Sequence, residues 1–255
     1  MVEQKEIASG IFDLCLHVPE AAAEAHPGQF ADLFCRDGSR LLPRPISIAG
    51  IDREKGTLRL VYRISGAGTA AFSGLHSGEA IDLIGPLGNG YPLDEARGRK
   101  VWLIGGGIGI PPLLETAKEL SQSGACSKIT SVLGYRDKNL FLADEFEAFG
   151  EVLPATEDGS AGTKGTVLDV LKRCIPDQDS ILFACGPTPM LRALQTFAAE
   201  QDLSCWLSLE ERMACGIGAC LACVCRTSET DDHSKVKNAR VCKDGPVFRA
   251  EDVVL

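Results

Sequence analysis

Long apolar runs are missing from this 255-residue chain. The longest, Val101 to Leu114, is broken by four glycines and two prolines, so no stretch of about 20 apolar residues is available to cross a bilayer as a helix. The N-terminus, Met1-Val2-Glu3-Gln4-Lys5-Glu6, lacks the apolar core that a signal peptide needs, and a cytoplasmic setting is expected. Positive charge is also short. The 26 Lys and Arg residues against 35 Asp and Glu leave a net charge of −9, which argues against non-specific binding to nucleic acid or to an anionic membrane. Histidine is scarce: His17, His26, His76 and His233 are dispersed, and no Ser–His–Asp or Cys–His pairing can be drawn through them. Structural or exposed roles are expected for all four. Internal repeats and low-complexity tracts are absent as well.

What the chain has in excess is cysteine. The remaining composition, 45% hydrophobic and 24% charged, is that of an ordinary soluble globular protein, and the length suggests one or two domains. Of the 11 cysteines, six fall from Cys205 onward and four crowd into Cys215 to Cys225. In a reducing compartment clustered thiols point to metal or redox chemistry before disulfides. The odd count also prevents complete pairing within the chain.

Three rhythms divide the sequence, and the boundaries 1–98, 99–203 and 204–255 are expected from them. Up to residue 98 the pattern is short strands between turns: Ile7 to Val18, Phe30 to Cys35, Ile46 to Ile51, Thr57 to Ile64 and Ala80 to Ile84, with one helical stretch at Thr69 to Leu75. Such spacing predicts an antiparallel barrel or sandwich. From Val101 strands and helices alternate: strand Val101 to Ile104, helix Pro112 to Ser121, strand Ile129 to Tyr135, helix Ala143 to Phe149. Strand Val152 to Ala155, helix Val167 to Cys174, strand Ser180 to Cys185 and helix Pro189 to Glu200 follow. This alternation predicts a parallel α/β sheet wrapped by helices. The last segment, with strand Cys205 to Leu209, a polar loop Arg226 to Arg240 and then Cys242 to Phe248, has too few apolar residues for a core of its own. Pieces of this size usually need a metal or disulfide staple.

Cys215-x4-Cys220-x2-Cys223, followed after eighteen residues by Cys242, is the spacing of plant-type [2Fe–2S] sites. Three thiolates come from one tight loop, and Gly216, Gly218 and Ala219 let backbone N–H groups turn toward the anionic sulfides. Structural zinc could use Cys220, Cys223 and Cys242 with Cys215 or Cys225, although a second C-x2-C pair is lacking. Packing is the expected role of Cys225. Cys15, Cys35, Cys126, Cys174 and Cys205 read as ordinary core or surface cysteines.

Two glycine turns end parallel strands. Gly105-Gly106-Gly107-Ile108-Gly109 precedes Pro111-Pro112 and opens a helix, a seat for a pyrophosphate, although the G-x-G-x-x-G register is not met and tight packing would ask for the same residues. Cys185-Gly186-Pro187-Thr188-Pro189-Met190 ends another strand, where α/β sheets bind ligands. In the first segment Arg44-Pro45-Ile46-Ser47, Val61-Tyr62-Arg63 and Gly68-Thr69 offer two arginines and a helix start, elements that suit phosphate.

Taken together these motifs resemble the ferredoxin–NADP reductase superfamily and, within it, the electron-transfer subunits of class 1B dihydroorotate dehydrogenases. The likeness spans nearly the whole chain and includes Gly85-Pro86-Leu87-Gly88, Met213-Ala214-Cys215 and Cys242-Lys243-Asp244-Gly245-Pro246-Val247-Phe248. It implies a β-barrel holding FAD through Arg44, Tyr62, Arg63, Gly68 and Thr69, with Ser47 near the flavin N5. It implies an α/β domain binding NAD(H), with the Gly105 turn at the diphosphate and Cys185 beside the nicotinamide. Cys215, Cys220, Cys223 and Cys242 would ligate the [2Fe–2S] cluster. No side chain is assigned acid–base catalysis, since hydride transfer belongs to the flavin. The implied partner is an FMN-containing dihydroorotate dehydrogenase subunit in a heterotetramer of two copies of each chain. Electrons would pass from FMN over the cluster and FAD to NAD+, in pyrimidine biosynthesis. The dihydroorotate site lies on that partner, because a barrel of eight βα units does not fit beside these domains. A flavin and iron–sulfur subunit of another NAD(P)H-linked complex, of transhydrogenase or sulfhydrogenase type, is the rival within the class. A zinc-stapled binding module is the rival outside it.

Overall fold

Alternating apolar residues in the first hundred positions build six antiparallel strands in the order β1-β2-β5-β4-β3-β6. They are β1 (Glu3–Ala8), β2 (Ile11–His17), β3 (Phe30–Phe34), β4 (Arg44–Asp52), β5 (Thr57–Arg63) and β6 (Asp82–Leu87). The computed structural model describes residues 1–36, 38, 40–230 and 235–255. His233 and part of the loop Arg226 to Arg240 therefore lie outside the described residues.

The single strand expected over Ile7 to Val18 is a hairpin. Gly10 adopts φ +69°, a left-handed turn that glycine takes without penalty, and folds β1 back so that Glu3 pairs with Cys15. The barrel closes where the Met1 amino group donates to the Glu79 carbonyl at 2.8 Å. Helix α1 (Pro19–Glu24) covers one end; its six residues are too few for a helical period to be read. Helix α2 (Ala67–Ser73) covers another side. Leu14, Leu33, Ile48, Leu58, Leu60, Tyr62 and Phe72 fill the interior.

The second sheet has seven strands in the order β10-β9-β8-β7-β11-β12-β15. Its parallel members are β7 (Lys100–Gly106), β8 (Lys128–Tyr135), β9 (Glu151–Thr156), β10 (Thr163–Lys164), β11 (Ser180–Cys185) and β12 (Ser204–Ser208). Helices α3 (Pro111–Ser123), α4 (Ala143–Glu147), α5 (Val167–Arg173) and α6 (Thr188–Glu200) connect them. β7 and β11 are buried along most of their length, which is why their sequences are nearly continuous apolar runs.

The cysteine-rich segment contributes a small hairpin, β13 (Val224–Arg226) with β14 (Asn238–Arg240), and then β15 (Val247–Arg249), which pairs antiparallel with β12. The expected boundary at 203/204 thus runs through a sheet, since Leu182 of β11 pairs with Cys205 of β12. The reason is the shortage of apolar residues noted above. Cys223, Val241 and Cys242 have no separate core and share one with Val170, Leu182 and Leu194 of the α/β domain.

Barrel and α/β domain are joined at α3, where Glu115 accepts from the Ile51 N–H at 2.8 Å and Lys118 donates to the Ile51 carbonyl at 2.7 Å, and by a fork on α4. Arg59 on β5 donates to both oxygens of Asp13 at 2.9 and 2.8 Å, and to Glu145 of α4 at 2.6 and 2.8 Å. Asp13 is nearly buried, so its loss of this partner is costly. Arg59→Ala is expected to lower stability by about 2 kcal/mol, measured as a shift of the urea midpoint. The Glu145 carboxyl is held below its ordinary value, chiefly by the bond from Arg59. Its contribution is therefore present above the ordinary glutamate pKa and fades as pH falls through the depressed value. The gap in melting temperature between wild type and Arg59→Ala should narrow in acid.

Candidate functional site

Four thiols meet where the loop after β12 folds against the residues after β14. Gly216 and Gly218 take φ +65° and +84°, conformations that let the loop wrap tightly. The N–H groups of Ala219 and Cys220 donate to Cys215 Sγ at 3.3 and 3.4 Å, and Gly218 N–H donates to Cys242 Sγ at 3.1 Å. Backbone donors from Ile217 and Cys220 draw the Cys215 thiol down to about 6, as a nest for anionic sulfur should. Cys242 is pushed up to about 12 by burial and by its bond to Cys223. Such a thiol lacks a compensating positive charge, which iron supplies.

Cys242 also donates its own N–H to Cys223 Sγ at 3.4 Å, so backbone bonds tie Cys242 both to Cys223 and to the loop that begins at Cys215. Three thiols from one nine-residue loop and a fourth from a separate turn are the arrangement of a plant-type binuclear cluster. Cys225 stands in β13 opposite Ala239 and packs on the shared core, the packing role expected for it.

The two glycine turns are pressed together at the C-terminal edge of the parallel sheet. A Cβ on Gly109 would fall 2.4 Å from the Cys185 carbonyl oxygen, and one on Gly106 would fall 2.6 Å from Met190 Sδ. At Gly109 the opposing atoms are backbone and only glycine permits the approach. A cleft of ≈ 590 Å³ opens beside them, lined by Arg63, Gly107, Arg136, Asn139, Thr166 and Met190 among others. Gly107 adopts φ +54°, turning the strand end into the first helical turn before α3. Cys185 is pushed up to about 12 by burial, next to the Ser208 hydroxyl. It is a neutral thiol and offers an uncharged wall. Tyr91, whose hydroxyl donates to the Ala184 carbonyl at 3.0 Å, fixes the end of that strand.

In the barrel, Arg44 lies across the start of α2. A Cβ on Gly68 would sit 2.2 Å from Arg44 Nε, so the position is a cradle that any other residue would fill. Arg44 Nη1 holds the Leu42 and Pro43 carbonyls at 2.6 and 3.1 Å, which fixes the guanidinium plane. The other residues expected to hold the flavin divide differently. Arg63 reaches over to Gly107, 3.4 Å from its notional Cβ, and lines the cleft beside that turn. Val61 and Tyr62 are buried on opposite faces of β5, and the Tyr62 hydroxyl donates to Gln4 Oε1 at 2.8 Å. Their side chains are committed to the interior, leaving only backbone groups for a ligand. The Thr69 hydroxyl is spent locally, accepting from the Ser65 and Gly66 N–H groups at 2.9 and 3.2 Å.

Sequence reasoning missed Arg240 and Asp244. Arg240 grips Asp244 with Nε at 3.0 Å and Nη2 at 2.9 Å, and Nη1 donates to the Gly218 carbonyl at 3.2 Å. One side chain thus ties the three-cysteine loop to the turn that carries Cys242. Their four-residue spacing about Cys242 was the available signal. Asp32, aimed at Gly216, left no local signal at all.

The family model for the iron–sulfur cluster binding domain of dihydroorotate dehydrogenase B matches residues 210–254, and that for an oxidoreductase NAD-binding domain matches residues 103–196. The dihydroorotate dehydrogenase B (NAD(+)) electron transfer subunit of Geobacillus sp. (strain WCH70) is 46% identical over 258 aligned residues, covering 100% of this chain and 97% of that one. The protein of the same name from Lysinibacillus sphaericus (strain C3-41) is 44% identical with the same coverage. Among solved structures, a chain of the NADH-dependent reduced ferredoxin-NADP oxidoreductase, studied for flavin-based electron bifurcation, is similar with a TM-score of 0.88 at 35% identity, covering 99% of this chain and 88% of that one. A ferredoxin NADP+ reductase from Neisseria gonorrhoeae with bound FAD and NADP shares the fold, with a TM-score of 0.65 at 16% identity over 78% of this chain and 89% of that one. By full-length identity, motif and fold, the chain belongs to the family of dihydroorotate dehydrogenase B (NAD(+)) electron transfer subunits.

Proposed function

We propose that this chain carries electrons from a separate dihydroorotate-oxidising subunit to NAD+, with Cys215, Cys220, Cys223 and Cys242 holding a [2Fe–2S] cluster and the barrel holding FAD. The observation that carries the reading is the set of backbone donors turned onto the sulfurs of Cys215, Cys223 and Cys242, in a loop packed against the barrel and beside the Gly105 and Cys185 turns of the adjoining sheet. No helix among the described residues is long and apolar enough to cross a membrane. We place the protein in the cytoplasm, its partner carrying FMN, in a complex of two copies of each chain.

A bound flavin supplies the chemistry that links the two ends, since it exchanges hydride with nicotinamide and single electrons with a metal cluster. The chain's own residues bind and orient. Arg44, held flat over Gly68, neutralises a diphosphate with a planar pair of donors. The Gly105–Gly109 turn and Arg63 receive the second diphosphate at the start of α3. Cys185, neutral and half-buried, borders the nicotinamide without adding charge, and Ser47 stands on β4 for the flavin N5. The loop glycines direct backbone donors onto cysteine sulfur, and Arg240 holds that loop in place.

Arg44→Ala should weaken FAD retention by about 10- to 100-fold, as expected for a lost charge-assisted contact of about 1.5–3 kcal/mol. Fluorescence of released flavin measures it. The reading as a whole is tested by anaerobic purification followed by cofactor analysis: about two irons and one FAD per chain are expected, with flavin and iron–sulfur absorbance. A colourless, zinc-only protein would overturn it in favour of the stapled module.

A further inference from the structure

β3 carries one charged side chain into the interior. Asp32 is fully buried, and neither carboxylate oxygen has a hydrogen-bond partner among the described residues. Burial lifts its carboxyl to about 6. An unpartnered carboxylate is among the costliest groups a fold can bury, so a role other than packing has to maintain it.

Its position is defined from two sides. In the pairing of β3 with β4, Asp32 stands opposite Pro45 and Phe30 opposite Ser47, and directly opposed residues of an antiparallel pair project from the same face. From the other side, a Cβ on Gly216 would fall 1.9 Å from Asp32 Oδ2, which means the carboxylate rests on the Gly216 backbone. Phe30, two residues earlier on the same face, packs in the core that contains Cys223 and Cys242. The carboxylate therefore lies between the strand bearing Ser47 and the loop bearing Cys215, Cys220 and Cys223.

We propose that Asp32 sets the redox balance of the cysteine-held cluster: its fixed negative charge disfavours a further electron on an already anionic group and lowers that group's potential. The inference rests on the reading that Cys215, Cys220, Cys223 and Cys242 ligate a [2Fe–2S] cluster. No bond forms or breaks through Asp32, which acts by its field alone, and the field is strong because the surroundings are poorly screened.

EPR-monitored redox titration of the purified holo-complex at pH 8 tests this. Asp32→Asn keeps the shape and removes the charge; Asp32→Leu suits the same apolar site and carries the test if the Asn chain does not fold. Each is expected to change the oxidised-to-reduced ratio at a fixed poise by about tenfold toward the reduced form, an upward shift of 59 mV for one electron. An unmoved or lowered potential overturns the inference while the wild-type cluster signal upholds the reading beneath it. A shift in the Leu variant with none in a folded Asn variant marks packing and also overturns it. If the wild-type complex gives no cluster signal, the underlying reading fails and this inference fails with it.

Discussion

Replacement of Cys220 by serine is expected to abolish the EPR signal of the reduced [2Fe–2S] cluster and to cut dihydroorotate-dependent NAD+ reduction by about 100-fold or more. Even the loss of outer support for a metal ligand commonly costs about 10- to 100-fold, and here the ligand itself is lost. Cys220 is exposed, so the substitution removes a sulfur without opening a cavity. The buried Cys223 and Cys242 would remain. NADH oxidation with an artificial electron acceptor should persist in the same preparation, because Arg44, Gly68 and the Gly105 turn are untouched. Retention of the EPR signal would exclude Cys220 as a ligand and reopen the assignment of the loop.

Gly109→Ala is expected to reduce kcat/KM for NADH by about 100-fold while leaving the flavin and cluster spectra in place. The added Cβ would meet the Cys185 carbonyl oxygen at 2.4 Å and the Gly186 Cα at 2.6 Å. Both are backbone atoms and neither can rotate away. Overpacking of this kind costs about 1–3 kcal/mol, and the turns have to separate to relieve it. A displacement of about 1 Å between groups that align a hydride donor and acceptor is enough for a 100-fold loss. Steady-state kinetics with NADH and a dye acceptor measures the effect. Unchanged kinetics would show that contact between the Gly105 and Cys185 turns does not position the nucleotide.

These sites differ in how far they could be read from the chain, and the reason is physical. The iron–sulfur segment was legible because thiols that converge on one cluster leave their spacing in the local sequence, here three cysteines within nine residues of the matched segment 210–254. The Gly105 turn was legible for the same reason: close backbone approach excludes a side chain, and only glycine meets that demand. Arg63 and Tyr62 were harder. Adjacent residues of a strand project to opposite faces, and the sequence does not state that one face of β5 meets the nucleotide cleft while the other is sealed by Gln4 and Phe12. The hairpin at Gly10 was obscured by apolar residues in both strands, and the pairing of β15 with β12 by 38 intervening residues between Ser208 and Val247. Asp32 marks the limit. Its neighbour Gly216 is distant in sequence, and its environment arises only when barrel, sheet and cysteine loop are packed.

Electron transfer from a dihydroorotate-oxidising partner through this chain to NAD+ is tested most directly by mixing the anaerobically purified subunits and following NADH formation from dihydroorotate and NAD+. NADH should appear only when both subunits are present. NADH formation by the partner alone, or none from the mixture while this chain holds its FAD and cluster, would contradict the account.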